Sequence, residues 1–147
     1  MTYPFCVASA GGTFGAFHQG HSDYLRLALA VADNVHLVIT GDAYAREQKS
    51  YDVPPLAARI AQVEAFLEAE SATSRVDMLV IGSHDELTRV VVSSKIDVAV
   101  VVPSYYRLFR RLSEERVRRG GAEFCILVKP RSREDGVGIT SRGALGE

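Results

Sequence analysis

The sequence predicts an α/β fold: a single Rossmann-like, doubly wound domain with a mostly parallel five-stranded sheet and helices on both faces. Three observations carry this. Short apolar runs alternate along the chain with amphipathic segments. Every gap between runs is long enough for a helical crossover, which parallel strands need and hairpins do not. The run at 97–102 is almost continuous in valine, as expected of a strand buried on both faces. The 147 residues suit one domain over 1–147, with no internal repeat and no low-complexity linker.

Each element has its own local reason. Residues 5–10 form an apolar run that meets Gly11-Gly12, reading as a buried strand stopped by a glycine turn. Residues 20–32 read as a helix, with Leu25, Leu29 and Ala32 on one face and Asp23 and Arg26 off it. A second strand is expected over 34–40, then a short helix over 42–48 with Asp42 as its candidate cap. Residues 49–54 read as a loop, and Pro55 opens a helix at its first turn. Leu56, Ile60, Val63 and Leu67 form one apolar stripe on that helix. Residues 76–81 read as the third strand, ended by Gly82, and 85–94 as a helix despite the Val90-Val91-Val92 run. Residues 97–102 are the fourth strand. A helix over 105–119 is stopped by Gly120-Gly121, and 124–128 is the fifth strand. The remainder, 129–147, is polar and rich in glycine.

Charge and length exclude several classes. Lys+Arg 17 against Asp+Glu 18 gives a net charge of -1, which removes the electrostatic case for binding nucleic acid but leaves room for a local anion site. The apolar runs are too short to span a bilayer, so no membrane partner is expected. The first residues lack a basic segment, so no signal peptide is read and a cytoplasmic location is expected. Cys6 and Cys125 show no Cys-x-x-Cys spacing and read as two buried, reduced thiols. His36 and His84 read as structural. Arg59 reads as a helix-surface residue or a salt-bridge partner. Tyr105 and Tyr106 follow the fourth strand directly; packing accounts for one, and the other is placed to flank a ligand.

In parallel sheets of this type, ligands lie at the carboxyl ends of the strands. Residues 11–21, Gly11-Gly12-Thr13-Phe14-Gly15-Ala16-Phe17-His18-Gln19-Gly20-His21, leave a strand there and enter a helix. Glycines allow close backbone approach, and a helix start favours an anion. Neither the lysine-bearing phosphate loop nor the Gly-x-Gly-x-x-Gly fingerprint is present. His18 and His21 are three apart, so both rings reach one side of a first helical turn. Taken alone, the pair is compatible with phosphate donors, with structural histidines, or with a metal pair that lacks an obvious third ligand.

Gly11-Gly12-Thr13-Phe14 followed by His18-Gln19-Gly20-His21 resembles the nucleotidyltransferase superfamily with the His-x-Gly-His motif, a cytidylyltransferase-like group. The pattern is most similar to the archaeal and eukaryotic type of phosphopantetheine adenylyltransferase. The likeness continues through Val38 to Asp42, Arg46 and Lys49, Pro55-Leu56-Ala57-Ala58-Arg59, the segment from Ser113 to Gly120, and Gly138-Ile139-Thr140-Ser141.

The resemblance implies nucleotidyl transfer, with CMP or AMP moved from a nucleoside triphosphate to a small phosphate- or phosphonate-bearing acceptor and pyrophosphate released. It implies that His18 and His21 stabilise charge at the α-phosphate and that Lys49 is a point charge on the acceptor or α-phosphate. Gly11, Gly12, Thr13, Phe14 and Gly20 would form the nucleotide- and phosphate-binding turn, Arg116 would reach the triphosphate, and Thr140 and Ser141 would hold its β- and γ-phosphates. Mg²⁺ is implied as the counter-ion of the phosphates rather than as a protein-caged metal. A homodimer is expected by analogy.

Three departures stand out from the adenylyltransferases. Gly15 replaces an Asp, Pro103-Ser104-Tyr105-Tyr106 replaces Ser-Glu-Glu, and Thr140-Ser141-Arg142-Gly143 lacks the usual continuation. They point to a specialised biosynthetic enzyme, such as a cytidylyltransferase acting on phosphonoformate. The alternatives are a phosphopantetheine adenylyltransferase and a non-catalytic nucleotide-binding homologue.

Overall fold

Phe5–Gly12 (β1), Ala32–Thr40 (β2), Val76–Ile81 (β3), Val98–Val101 (β4) and Cys125–Val128 (β5) form one sheet in the order β3-β2-β1-β4-β5, every neighbouring pair parallel. The computed structural model describes residues 3–48, 52–130, 133–134 and 137–138. Gln19–Val31 (α1) and Leu56–Ala69 (α3) cover one face. Asp42–Gln48 (α2), His84–Ser93 (α4) and Tyr106–Arg118 (α5) supply Tyr44, Leu87, Val91, Phe109 and Leu112 to the other. The strands therefore serve two cores at once. Leu37 and Ile39 of β2 pack with Leu25, Leu29, Val63 and Leu67, while Val38 between them faces Tyr44 and Leu87. This is the doubly wound, Rossmann-like architecture that the alternation of elements predicts.

Several boundaries differ for local reasons. β1 does not stop at Gly11-Gly12: both pair with β2, opposite Val38 and Ile39. α4 forms despite its valine run because Val91 and Val92 are buried in the second core and the Ser83 hydroxyl accepts the Glu86 N–H at its start. Pro103–Tyr105 make a 3-10 turn before α5 begins. α5 ends where Gly120 takes a φ of 89°, the left-handed stop that favours glycine. Arg133–Glu134 (β6) and Val137–Gly138 (β7) pair antiparallel as a separate two-stranded sheet, within a stretch that the sequence reads as polar and rich in glycine.

The cysteine reading is corrected. Cys6 and Cys125 are both exposed, because one lies second in β1 and the other opens the edge strand β5, at the rim of the sheet rather than beneath a helix.

Candidate active site

The strand order turns back between β1 and β4, and the two pair only at Ala8 with Val98 and Ser9 with Ala99. Beyond that point no ladder pairing joins them, and the carboxyl ends on either side of such a reversal are where ligands bind in sheets of this kind. Tyr24 of α1 bridges the gap. Its hydroxyl accepts the Gly11 N–H at 3.0 Å and donates to the Val100 carbonyl at 2.6 Å. Burial pushes its pKa up to about 12, so the hydroxyl stays protonated and keeps donating. Gly11 is required on the opposite side, since a Cβ there would stand 3.0 Å from the Val38 carbonyl oxygen.

His18 is the N-cap of α1. Its Nδ1 accepts the Gly20 N–H at 3.0 Å, and the His18 N–H in turn donates to His21 Nδ1 at 3.3 Å. The two imidazoles thus make a reciprocal cap of the kind usually built from Ser and Glu. The network assigns the tautomers. With each Nδ1 used as an acceptor, each neutral ring carries its proton on Nε2. The rings stack with centroids 3.9 Å apart and planes 18° from parallel. His18 Nε2 is buried without a hydrogen-bond partner among the described residues. Burial also holds its pKa below the ordinary imidazole value, so the ring is neutral near pH 7. Phe14 meets His21 edge-on at 5.2 Å, and Phe17 lies 5.4 Å from the same ring. Phe17 is held by Phe66 and by its own N–H, which donates to the Gln62 side chain.

The turn after β1 is anchored from α3. Arg59 is fully buried and donates to the carbonyls of Thr13, Thr40 and Pro54 and to the Asp42 carboxylate. The Thr13 and Thr40 hydroxyls are bonded to each other at 2.9 Å. Asp42 also accepts the Leu56 N–H, so it serves the first turn of α3. The hydrogen bond from Arg59 is the main reason that its carboxyl sits below the usual range.

The predicted site residues divide into three sets. Gly11, Gly12, Thr13, Phe14, His18, Gly20 and His21 meet at the carboxyl end of β1. Two of these glycines serve a different purpose from the phosphate-donor role that the resemblance implies. The Gly11 N–H is taken by Tyr24 and the Gly20 N–H by His18, so Gly11 supplies close approach and Gly20 sets a ring. Lys49, Thr140 and Ser141 lie outside the described residues.

Arg116 is a correction. It donates to the carbonyls of Ala122, Ser94 and Ile96, with its guanidinium 4.9 Å from the Phe124 ring centroid. Those partners precede β5 and β4, so Arg116 sits at the amino-terminal rim, across the sheet from the histidines. Its three carbonyl partners commit it to holding chain ends together. Tyr105 and Tyr106 are 41% and 38% exposed, so neither is consumed by packing as expected for one of them. His84 opens α4 and is exposed.

Sequence reasoning did not single out Tyr24 or Thr40. It read Arg59 as a helix-surface residue or a salt-bridge partner; the ion pair with Asp42 is there, but the residue is buried. A tyrosine facing a strand end from the following helix was the available signal for Tyr24. The signal for Arg59 was its place, four residues after Pro55, between two stripe residues.

Among the described residues no three His, Cys, Asp or Glu side chains are placed to hold a metal ion. The nearest carboxylate described there, Asp42, is committed to Arg59, and His18 offers its Nε2. Such a set suits an anion and does not provide a cage for a divalent cation.

The family model described as cytidylyltransferase-like matches residues 9–134. The chain belongs to this family and is a nucleotidyltransferase. It is 31% identical to the phosphopantetheine adenylyltransferase of Methanopyrus kandleri over 138 residues, 93% of this chain and 87% of that protein. It is 26% identical to the phosphopantetheine adenylyltransferase of Pyrobaculum aerophilum over 140 residues, covering 95% and 88%. Among solved structures, a protein of unknown function from Archaeoglobus fulgidus superposes with a TM-score of 0.72 at 20% identity, covering 90% of this chain and 98% of that one. That last likeness is one of fold.

Proposed function

We propose that the chain moves a nucleoside monophosphate from a nucleoside triphosphate to a small phosphate-bearing acceptor, with ATP and phosphopantetheine as the pair that the relatives support best. The observation that carries the reading is the capped imidazole pair, whose Nε2–H groups are fixed as donors where β1 meets α1. An acceptor oxygen attacks the α-phosphorus. The bond from that phosphorus to the bridging oxygen of the β-phosphate breaks, and pyrophosphate leaves with the electron pair. No covalent enzyme intermediate is needed, so the protein contributes position and charge stabilisation.

On this reading His18 and His21 donate to oxygens that gain charge as the α-phosphorus is attacked. His18 Nε2, buried and unpartnered, gains its hydrogen bond only when the phosphate is present. The turn at 12–14 holds phosphate beside the start of α1. Lys49, Thr140 and Ser141 remain proposed contacts to the acceptor and the outer phosphates. The triphosphate would carry Mg²⁺ with it, which would neutralise part of its charge, and none of the described residues is assigned to hold the ion. The proposed unit is one domain over 1–147, working in the cytoplasm.

A second reading, cytidylyl transfer from CTP to a phosphonate such as phosphonoformate, is favoured by one observation. Exposed Tyr105 and Tyr106 stand at the carboxyl end of β4, where the resemblance leads one to expect Ser-Glu-Glu. Incubation with each nucleoside triphosphate, Mg²⁺ and a panel of phosphate and phosphonate acceptors, with pyrophosphate measured, separates the readings. ATP with phosphopantetheine is the expected productive pair. Turnover confined to CTP and a phosphonate selects the second reading. Nucleotide binding without pyrophosphate from any pair overturns both and leaves a non-catalytic binder.

A further inference from the structure

Arg59 does more than fill space. Its four hydrogen bonds reach four separate segments: Thr13 after β1 at 3.0 Å, Thr40 at the end of β2 at 2.7 Å, Asp42 at the start of α2 at 2.8 Å, and Pro54 before α3 at 2.8 Å. The bond to Thr13 has a directional consequence. The peptide between Thr13 and Phe14 is trans and planar, so its carbonyl and its N–H point in opposite directions. With the carbonyl turned inward to Arg59, the Phe14 N–H is turned away from Arg59. Phe14 has a φ of 53°, left-handed backbone that a bulky residue rarely adopts and that is held here by packing of a side chain only 2% exposed. A left-handed residue in a turn is the setting in which successive N–H groups converge on an anion.

We propose that Arg59 is a positioning residue for nucleotidyl transfer: by holding the Thr13 carbonyl it aims the Phe14 N–H at the phosphate beside His18 and His21. It touches no substrate itself, and its other bonds keep the turn in register with the end of β2 and the start of α3. The inference rests on the nucleotidyl-transfer reading and assigns to Arg59 the aiming of that turn.

A wild-type measurement and two variants test it. In an amide-resolved NMR titration with pyrophosphate, the Phe14 amide is expected to shift with the amides of the His18 turn, and the Arg59 guanidinium signals to stay in place. Shifts at the histidine turn without one at Phe14 overturn the positioning role alone. No shift anywhere overturns it together with the phosphate site. Arg59→Lys keeps the charge and loses the fork, so it is expected to weaken pyrophosphate binding and kcat by about tenfold or more. Asp42→Asn keeps the acceptor oxygen and removes the charge. It is expected to lower the melting temperature while leaving kcat and KM within about twofold of wild type. If Arg59→Lys binds and turns over like wild type, the role is stabilisation only; if Asp42→Asn loses as much activity at equal foldedness, the effect does not run through the Thr13 carbonyl and the proposal is overturned.

Discussion

Replacing Tyr24 with Phe removes one oxygen atom at the point where β1 and β4 separate. The ring keeps its place in the first core, so the change isolates the hydroxyl and its two bonds, 3.0 Å from the Gly11 nitrogen and 2.6 Å to the Val100 oxygen. The Val100 oxygen lies in a residue that is 1% exposed, so losing its donor costs about 1–3 kcal/mol of desolvation left uncompensated. The Gly11 amide is exposed and regains a water bond, so its share is about 0.5–1 kcal/mol. The expected loss is about 1.5–4 kcal/mol, or roughly 5–12 °C in Tm for a chain of this size. Differential scanning calorimetry and urea unfolding read the stability, and pyrophosphate release at a temperature where both proteins are folded reads the site. Gly11 is expected to settle away from its present position and kcat to fall several-fold. A Tm within about 1 °C of wild type with unchanged kcat refutes the bridging role.

The other predictions concern the capped pair, the close approach and the opposite rim. His18→Ala and His21→Ala are each expected to lower kcat by about 10²–10⁴, while His18→Ala costs only about 1 kcal/mol of stability as a lost N-cap; near-normal turnover in both removes them from the mechanism. Gly11→Ala is expected to destabilise by about 1–2 kcal/mol in chemical unfolding, because its methyl would press on backbone 3.0 Å away. Acidification should reduce both stability and rate. Burial lowers the His18 pKa, so the fold favours the neutral ring; its contribution is complete above the ordinary value of 6.5 and is lost as the pH falls below it. An acid limb of kcat/KM centred above 6.5 contradicts that assignment. Arg116→Lys is expected to cost about 3 kcal/mol, since a single nitrogen cannot reach the three carbonyls that Nε, Nη1 and Nη2 meet separately, with kcat per folded molecule unchanged; a specific loss of triphosphate affinity would restore it to the site.

Much of the site was legible locally. A glycine-rich turn leading from a strand into a helix, with histidines three apart, is a short-range pattern, and its chemistry follows from helix-start geometry. The tautomers were not legible, because they depend on which N–H each Nδ1 meets. The bridging hydroxyl of Tyr24 was hidden for a similar reason, since its partners lie 13 and 76 residues away in sequence.

The sequence by itself determined the order of strands and helices along the main sheet, its two-faced burial and the place of the glycine-histidine turn, since each is written in periodicity or in adjacent residues. Only the tertiary structure decided between the arginines. Both Arg59 and Arg116 lie on helices, yet one is locked beneath the turn after β1 and the other at the far rim. A guanidinium is buried wherever several carbonyls from distant segments converge around it. That convergence belongs to the packed sheet and has no counterpart in the spacing of neighbouring residues.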